Sequence, residues 1–466
     1  MKSLSRSMSR RDFLRTTGLL TGGALLAACA PAAAPSAAPA ASEGAAASAP
    51  AAAEQITLQY WVNWGGGYGI ATWDALKASS KWSEMMGDIQ IEVLPSAGDE
   101  KILTSVAAGT PPDGASNVQY LDFMARGALV SIDDWIASSD IISEDKYLAG
   151  SWKDGGFEGK MYGIPANEGF LRYALNYNGK HVADAGLDPD SPPKTWDELM
   201  DWHLALTEFD AAGNLIKIGL DPYDAMGGNL AIQDGFYPAV SWGFEWFNAD
   251  AGTFDLDNEM MVAAFETMGA YYKQIGPDNM AGMRQVEGQG SWGGSYNSEV
   301  QSVMIDGYWR PGGTAINKPE VSEHHRTSWA PVPSHRKDVN PQGTGGHYVI
   351  IYNESKYKEE MFRVGEFLNT NEAMDIIFEN SGWLPGQIDY LATVDSNRYP
   401  GLKFYFDSLD TATEWSSPAR CPITSFARSQ FNELRENQYR DTMTAAEAAA
   451  EFQSRCTAEY AAAGFA

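Results

Sequence analysis

Apolar residues recur along this chain at two spacings, and each spacing predicts an element. Ile56-Thr57-Leu58-Gln59-Tyr60-Trp61-Val62, β-branched and aromatic, predicts a first strand. It runs into Asn63-Trp64-Gly65-Gly66-Gly67-Tyr68, a glycine-rich loop carrying two aromatics. Helical spacing over Ile70–Met86, a strand at Ile89–Leu94 and a helix at Glu100–Ala108 follow. Gly109-Thr110-Pro111-Pro112-Asp113 reads as a helix stop and a turn into the next strand. Thr195, with Glu198 three residues on, forms a capping box that starts a helix. Met361, Val364 and Leu368 are spaced three and four apart, so Lys358–Leu368 is an amphipathic helix with one core-facing stripe. Tyr348–Tyr352 reads as a strand. Alternating strands and helices imply an α/β protein with parallel pairing and crossover helices. In such sheets ligands sit outside the carboxyl ends of the strands, where the loop 63–68 lies.

At 466 residues the chain is long enough for at least two cores. Its first segment has a different character. Lys2, Arg6, Arg10, Arg11 and Arg15 stand against a single acid, Asp12, and precede a short apolar stretch, Thr16–Ala28. That is the form of an export signal rather than of a membrane helix. Ser9-Arg10-Arg11-Asp12-Phe13-Leu14 resembles the twin-arginine (Tat) export motif, and Leu26-Ala27-Ala28-Cys29 resembles a bacterial lipobox in which Cys29 is lipidated. Residues 29–53, almost wholly Ala, Pro and Ser, read as a tether, because the prolines block a helix and nothing there can build a core.

The formal charge is −28; removing the signal 1–28 takes away five basic groups and one acid and leaves −32. Such a surface argues against nucleic acid as a partner and repels anionic headgroups, so membrane attachment is expected through the N-terminal lipid alone. No apolar run near 20 residues occurs downstream. In an exported protein Cys421 and Cys456 are candidates for a disulfide. A redox-active thiol is the alternative, although no CxxC accompanies it.

Lys101 to Trp135, KILTSVAAGTPPDGASNVQYLDFMARGALVSIDDW, resembles the stretch that characterises extracellular solute-binding proteins (family 1 type) of carbohydrate-uptake ABC transporters. Four further segments agree in order: Met161-Tyr162-Gly163-Ile164-Pro165; Asn176-Tyr177-Asn178 with Gly186-Leu187 and Pro193–Leu199; Val303–Trp309; and Gly345 to Pro385, ending in Gly382-Trp383-Leu384-Pro385. The resemblance implies a two-lobe periplasmic-binding-protein fold of class II type, with a ligand cleft between the lobes. On that pattern lobe one is 54–164 plus 331–390 and lobe two is 165–330 plus 391–466. It further implies a sugar or oligosaccharide ligand, hinge closure, delivery to ABC permease subunits, and a place outside the membrane, in the periplasm or on the outer face of the cell membrane. A monomer with no cofactor is expected.

Fifteen tryptophans are more than packing usually requires. An indole matches the apolar C–H face of a sugar ring, while carboxylates and amides bond its hydroxyl rim. Trp64 and Tyr68 fit that chemistry by their loop. The resemblance adds Trp309, where the family commonly carries a stacking tryptophan, with Arg310 beside it, and it adds Asn117 and Gln119. Trp242 and Trp383 are further aromatic candidates, Glu168 could accept two hydroxyl hydrogen bonds at the lobe crossing, and His347 could line the cleft. Trp61, Trp135, Trp196, Trp202 and Trp329 read as packing residues.

Other chemistry is weakly supported. His324-His325 reads as a polar loop pair without a third metal ligand, and Asp255, Asp257 and Glu259 lack a calcium loop's glycine and distal glutamate, so a helix start at Asp257 is expected there. No metal site and no catalytic residue is assigned. Two other functions remain open: a binding protein for a peptide or polyamine, and a secreted glycoside hydrolase, which would need two carboxylates set across a scissile bond.

Overall fold

The computed structural model describes residues 55–62, 66–117, 120–223, 236–283 and 294–465, without side chains at 66–68, 99–100, 117 and 281–283. The export signal, lipobox and tether, and with them Cys29, Trp64 and Gln119, lie outside the described residues.

Among the described residues ten strands build two five-stranded sheets. In chain order they are β1 (Thr57–Val62), β2 (Gln90–Leu94), β3 (Gly114–Asn117), β4 (Gly163–Glu168), β5 (Ala174–Asn178), β6 (Glu208–Phe209), β7 (Leu215–Leu220), β8 (Gln301–Asp306), β9 (His325–Ser328) and β10 (His347–Ile351). The first sheet has the order β2-β1-β3-β10-β4 and the second β9-β5-β8-β7-β6. Parallel pairing, expected from the strand–helix alternation, holds for β1 with β2 and β3. It does not hold throughout. β10 runs antiparallel to both β3 and β4, and β5 runs antiparallel to both β8 and β9. The cause is topological: β10 joins the first sheet only after the chain has returned from the second.

Local chemistry explains the elements. On β1, Leu58, Tyr60 and Val62 are buried at every second position, as a strand requires. The single helix expected over Ile70–Met86 is two, Gly66–Ala78 and Ser80–Met86, because Ser79 adopts an extended backbone and its Oγ accepts from the Trp82 N–H. The Thr195–Glu198 capping box is present and opens Trp196–Ala205. Met361, Val364 and Leu368 are fully buried on Lys358–Leu368. The expected start at Asp257 falls two residues later: Asn258 caps Glu259–Ile275, its Oδ1 accepting from the Met261 N–H at 2.8 Å. His325 is not in a polar loop. It opens β9, buried between Tyr296 Oη (2.9 Å from Nδ1) and Asn176 Oδ1 (3.2 Å from Nε2).

Each sheet carries its own core. Leu58, Tyr60, Ile164, Val349 and Ile351 of the first pack with the helices Lys358–Leu368 and Asn371–Ser381. Leu175, Ile218, Leu220, Val303 and Ile305 of the second pack with Glu259–Ile275, Thr424–Tyr439 and Ala445–Ala462. Tyr308, Trp309, Tyr399, Leu402 and Tyr405 belong to the core of the first sheet, although the expected boundaries allot them to lobe two. Cys421 and Cys456 are both buried in the second core as free thiols, so the expected bridge is not formed.

The chain passes between the sheets at 169–173, from β4 to β5, and again at 329–346, from β9 to β10. Gln342 ties these passages together. Its Oε1 accepts from the N–H groups of Arg172 (3.1 Å) and Tyr173 (2.9 Å), and its Nε2 donates to Ser408 Oγ (3.1 Å). The neighbouring Pro341–Gly343 pairs in parallel with Glu414–Ser416.

Candidate functional site

One edge of the first sheet collects three of the expected binding positions. β1 and β3 are parallel, and β4 shares their direction because both β3 and β4 run antiparallel to β10. The carboxyl ends of β1, β3 and β4, and the amino end of β10, therefore meet at one edge. Val62 ends β1, just before the loop 63–68; Asn117 ends β3; His347 begins β10; Glu168 ends β4. The register confirms the adjacency, pairing Tyr348 with Asn117 and His347 with Glu168. Tyr68 stands in the first turn of Gly66–Ala78. Within the same edge Asn167 Nδ2 donates to Ser116 Oγ (3.4 Å). Asn167 holds a left-handed backbone at φ 60°, an uncommon conformation outside glycine.

Beside this edge lies a buried, charged junction. Arg172 grips Glu168 twice, Nη1 to Oε1 at 2.8 Å and Nη2 to Oε2 at 3.0 Å, and both side chains are at most 3% exposed. The guanidinium also lies over the Trp309 ring, 4.8 Å from its centroid. A second buried pair joins Arg310 to Asp306, with Nε 2.7 Å from Oδ2. Burial raises the Asp306 carboxyl above the ordinary range, with Arg310 opposing that shift. The Tyr308 hydroxyl donates to Leu384 O (2.9 Å) and accepts from Leu384 N–H (3.0 Å), fixing the Trp383 segment against the end of β8. His347 stacks on Trp383, centroids 5.1 Å apart and planes 23° apart. Burial, then Arg172, pushes His347 down to about 3, so its ring is neutral at physiological pH.

Two glycines let these segments approach. A Cβ on Gly312 would come within 2.5 Å of the Gly382 Cα, and one on Gly382 within 2.6 Å of the Gly312 Cα. Gly382 also has a left-handed backbone (φ 75°) that ends Asn371–Ser381. The helix that begins at Trp309 therefore sits backbone to backbone against the turn that carries Trp383.

Glu168, Trp309, Arg310, His347 and Trp383 thus come together, and Asn117 lies on the same edge as Glu168 and His347. Trp242 does not join them. It stacks on Trp196 at 5.6 Å in the second core, because the helix Tyr237–Trp242 is buried along its whole length. Nor do Trp309 and Trp383 offer the open indole faces expected of them. Both are nearly fully buried, with Arg172 over one ring and His347 stacked on the other. Arg310 is engaged by Asp306, the last residue of β8. Sequence reasoning missed Arg172, Asn167 and Asp306. Arg172 stands four residues after Glu168 in a segment without regular periodicity, so no local signal marks the two as partners.

Two sheets with separate cores, joined by strand-like passages beside a polar strand edge, define a two-lobe α/β binding protein. Residues 77–375 match the family model described as bacterial extracellular solute-binding protein, and the chain belongs to that family. The family and its structural neighbours are binding proteins, not enzymes, which removes the glycoside hydrolase alternative. A candidate binding protein of Brucella abortus (strain 2308) is 26% identical over 301 residues, 61% of this chain and 65% of that protein, and a counterpart in Brucella suis biovar 1 (strain 1330) matches equally. The match thus spans slightly less than two thirds of these relatives. Among solved structures, CpMnBP1 with mannotriose bound superposes with a TM-score of 0.73 at 19% identity, covering 86% of this chain and all of that one. An ABC transporter solute-binding protein of Thermotoga lettingae, bound with α-D-tagatose, gives 0.72 at 19% over 86% and 99%. The sugar-binding protein MalE of Xanthomonas citri gives 0.63 at 17% over 86% and 96%. At these identities the likeness is one of fold.

Proposed function

We propose that this protein is a lipid-anchored receptor that captures a sugar or oligosaccharide outside the cell membrane and delivers it to an ABC permease by hinge closure. Cys29 carries the lipid after export through the twin-arginine signal, and the receptor works as a monomer. The observation that carries the reading is the strand edge. Asn117, His347 and Glu168 stand on neighbouring strands there, and Trp64, Tyr68 and Gln119 follow β1 and β3 within a few residues. An amide, an imidazole and a carboxylate on neighbouring strands, with aromatic and amide residues following close by in sequence, match a solute with a hydroxyl rim and an apolar ring face. The ligands bound by the structural neighbours, mannotriose and α-D-tagatose, support the same solute class.

Trp309, Arg310 and Trp383 frame that row from the junction. A ligand touching both lobes favours the closed form by its differential affinity. Hydrogen bonds to charged groups contribute about 1.5–3 kcal/mol each, and a few of them less the ordering cost correspond to a Kd of about a micromolar.

The test is a thermal-shift screen of the purified protein against monosaccharides, linear and cyclic oligosaccharides, peptides and polyamines. A ligand that binds only the folded state raises the melting temperature. A saturable rise with a carbohydrate, reduced at least tenfold in affinity by Asn117→Ala, is expected. A rise with a peptide or polyamine alone would overturn the sugar reading.

A further inference from the structure

A second contact between the lobes involves two buried carboxyls that the proposed site does not use. Arg420 immediately precedes Cys421 of the second core. Its guanidinium reaches across to the first lobe, where Nη1 donates to the Asp154 carbonyl (2.8 Å) and Nη2 to the Gly156 carbonyl. The Tyr120 hydroxyl donates to the same Asp154 carbonyl at 2.8 Å. Asp154 is 1% exposed, and among the described residues neither carboxyl oxygen has a hydrogen-bond donor. Next to it the helix Leu121–Ala125 of the first lobe packs against Thr424–Tyr439 of the second. There the buried Asp122 accepts hydrogen bonds from Ser425.

We propose that Arg420, Asp154 and Asp122 form a proton-sensitive latch between the lobes, which holds them together more firmly as the pH falls. The proposal rests on the hinge-closure reading but not on the identity of the ligand. Parting the lobes would withdraw Arg420 from two carbonyls and Ser425 from Asp122, and would admit water to both carboxyls.

The electrostatic surroundings set the sign. Asp154 faces Arg420 from the second lobe, Arg172 from the passage after β4, Lys153 on its own helix, and the hydroxyls of Tyr120 and Tyr348. Asp122 faces Ser425 and Arg428 from the second lobe, Arg126 beside its own helix, and Cys421. The cations lower both carboxyl pKa values, but burial outweighs them: Asp154 is pushed up to about 7 and Asp122 to about 6. The latched form therefore holds these protons more tightly than a parted, hydrated form would. By linkage, acidification through pH 7 and 6 shifts the balance toward the latched form. If parting returns Asp154 to the ordinary carboxylate range, the latched-to-parted ratio rises roughly 30-fold between pH 8 and pH 5.5.

Small-angle X-ray scattering of the ligand-free full chain at pH 8.0 and pH 5.5 tests this. The expected result is a smaller radius of gyration at pH 5.5. An unchanged or larger radius would overturn the latch, whatever the sugar screen finds. Asp154→Asn/Asp122→Asn, which mimics the protonated pair, should be compact at both pH values; a pH response equal to wild type would remove these carboxyls from the device. Arg420→Met keeps the side-chain stem and loses both donors, so its radius should exceed wild type at both pH values. A radius equal to wild type, in a variant whose circular dichroism shows it folded, would show that Arg420 does not latch.

Discussion

Arg172 holds the Glu168 carboxylate in a two-pronged grip while its guanidinium covers the Trp309 ring at 4.8 Å. One side chain thus links the end of a first-sheet strand to the helix that follows β8 of the second sheet. The value of the arrangement lies in geometry as much as in energy, since a buried ion pair often gains little over a well-packed apolar replacement.

The pair should behave asymmetrically when broken. Glu168→Gln leaves the guanidinium buried without its counter-charge and should cost about 3–5 kcal/mol of unfolding free energy. Glu168→Gln/Arg172→Met, which removes both charges, should cost less than Glu168→Gln alone. Urea unfolding of the two variants and wild type reads this directly. A double variant less stable than Glu168→Gln would mean that the charges contribute more together than their burial costs.

Gly312→Ala should destabilise the protein by about 1–3 kcal/mol, because its Cβ would meet backbone rather than a movable side chain. The same change would push the Trp309 helix away from the Trp383 turn, so ligand affinity should fall along with the denaturation midpoint. Gly313, one residue on, has open space around its Cβ position, and Gly313→Ala is the control expected to leave both unchanged.

Three histidines with strongly lowered pKa values and two buried carboxyls oppose each other in acid. Burial lowers His325 and His347 to about 3 and His203 to about 4, so the folded state keeps them neutral. Their contribution is complete above the unfolded value near 6.5 and is lost as the pH falls below it. From pH 6.5 to 5.5 each loses about 1 kcal/mol. Asp154 and Asp122, raised to about 7 and 6, have the opposite sign: their folded carboxyls protonate first, so acidification restores stability. Asp154→Asn/Asp122→Asn should therefore lose about 3 kcal/mol between pH 6.5 and 5.5, and wild type visibly less. Urea midpoints across that window decide it; parallel profiles would be the contrary result.

Cys421 and Cys456 should behave as inert thiols. Both are fully buried, and burial raises both pKa values, that of Cys456 to about 12, which leaves almost no thiolate to react. A thiol reagent should label neither in the folded protein and both after unfolding, and a reductant should leave the melting temperature unchanged. A melting temperature lowered by reductant would reveal a disulfide.

Elements set by neighbouring residues were legible in the sequence. The Thr195–Glu198 capping box, the apolar stripe Met361–Val364–Leu368 and the strand at 57–62 follow from spacing and side-chain chemistry within one or two turns. The break at Ser79 was legible only in part, because a serine inside an apolar period can face solvent or cap a new turn. Glu168, His347 and Trp383 were singled out by residue type and place in the chain, Trp309 and Arg310 by the family resemblance, and the fold does gather them.

What those residues do when gathered was decided by tertiary structure. Arg172 meets Trp309 across 137 positions of chain, and His347 meets Trp383 across 36, so no local pattern could show that those rings are already covered. The same holds for Trp242, whose stacking on Trp196 depends on two helices packing in the second core. Composition and spacing act within a few residues and determine elements, caps and the class of fold. Burial and partnership depend on where distant segments land, and in this protein they determined which aromatic rings are packed, which charges are paired and that the buried Asp154 carboxyl is left without a donor among the described residues.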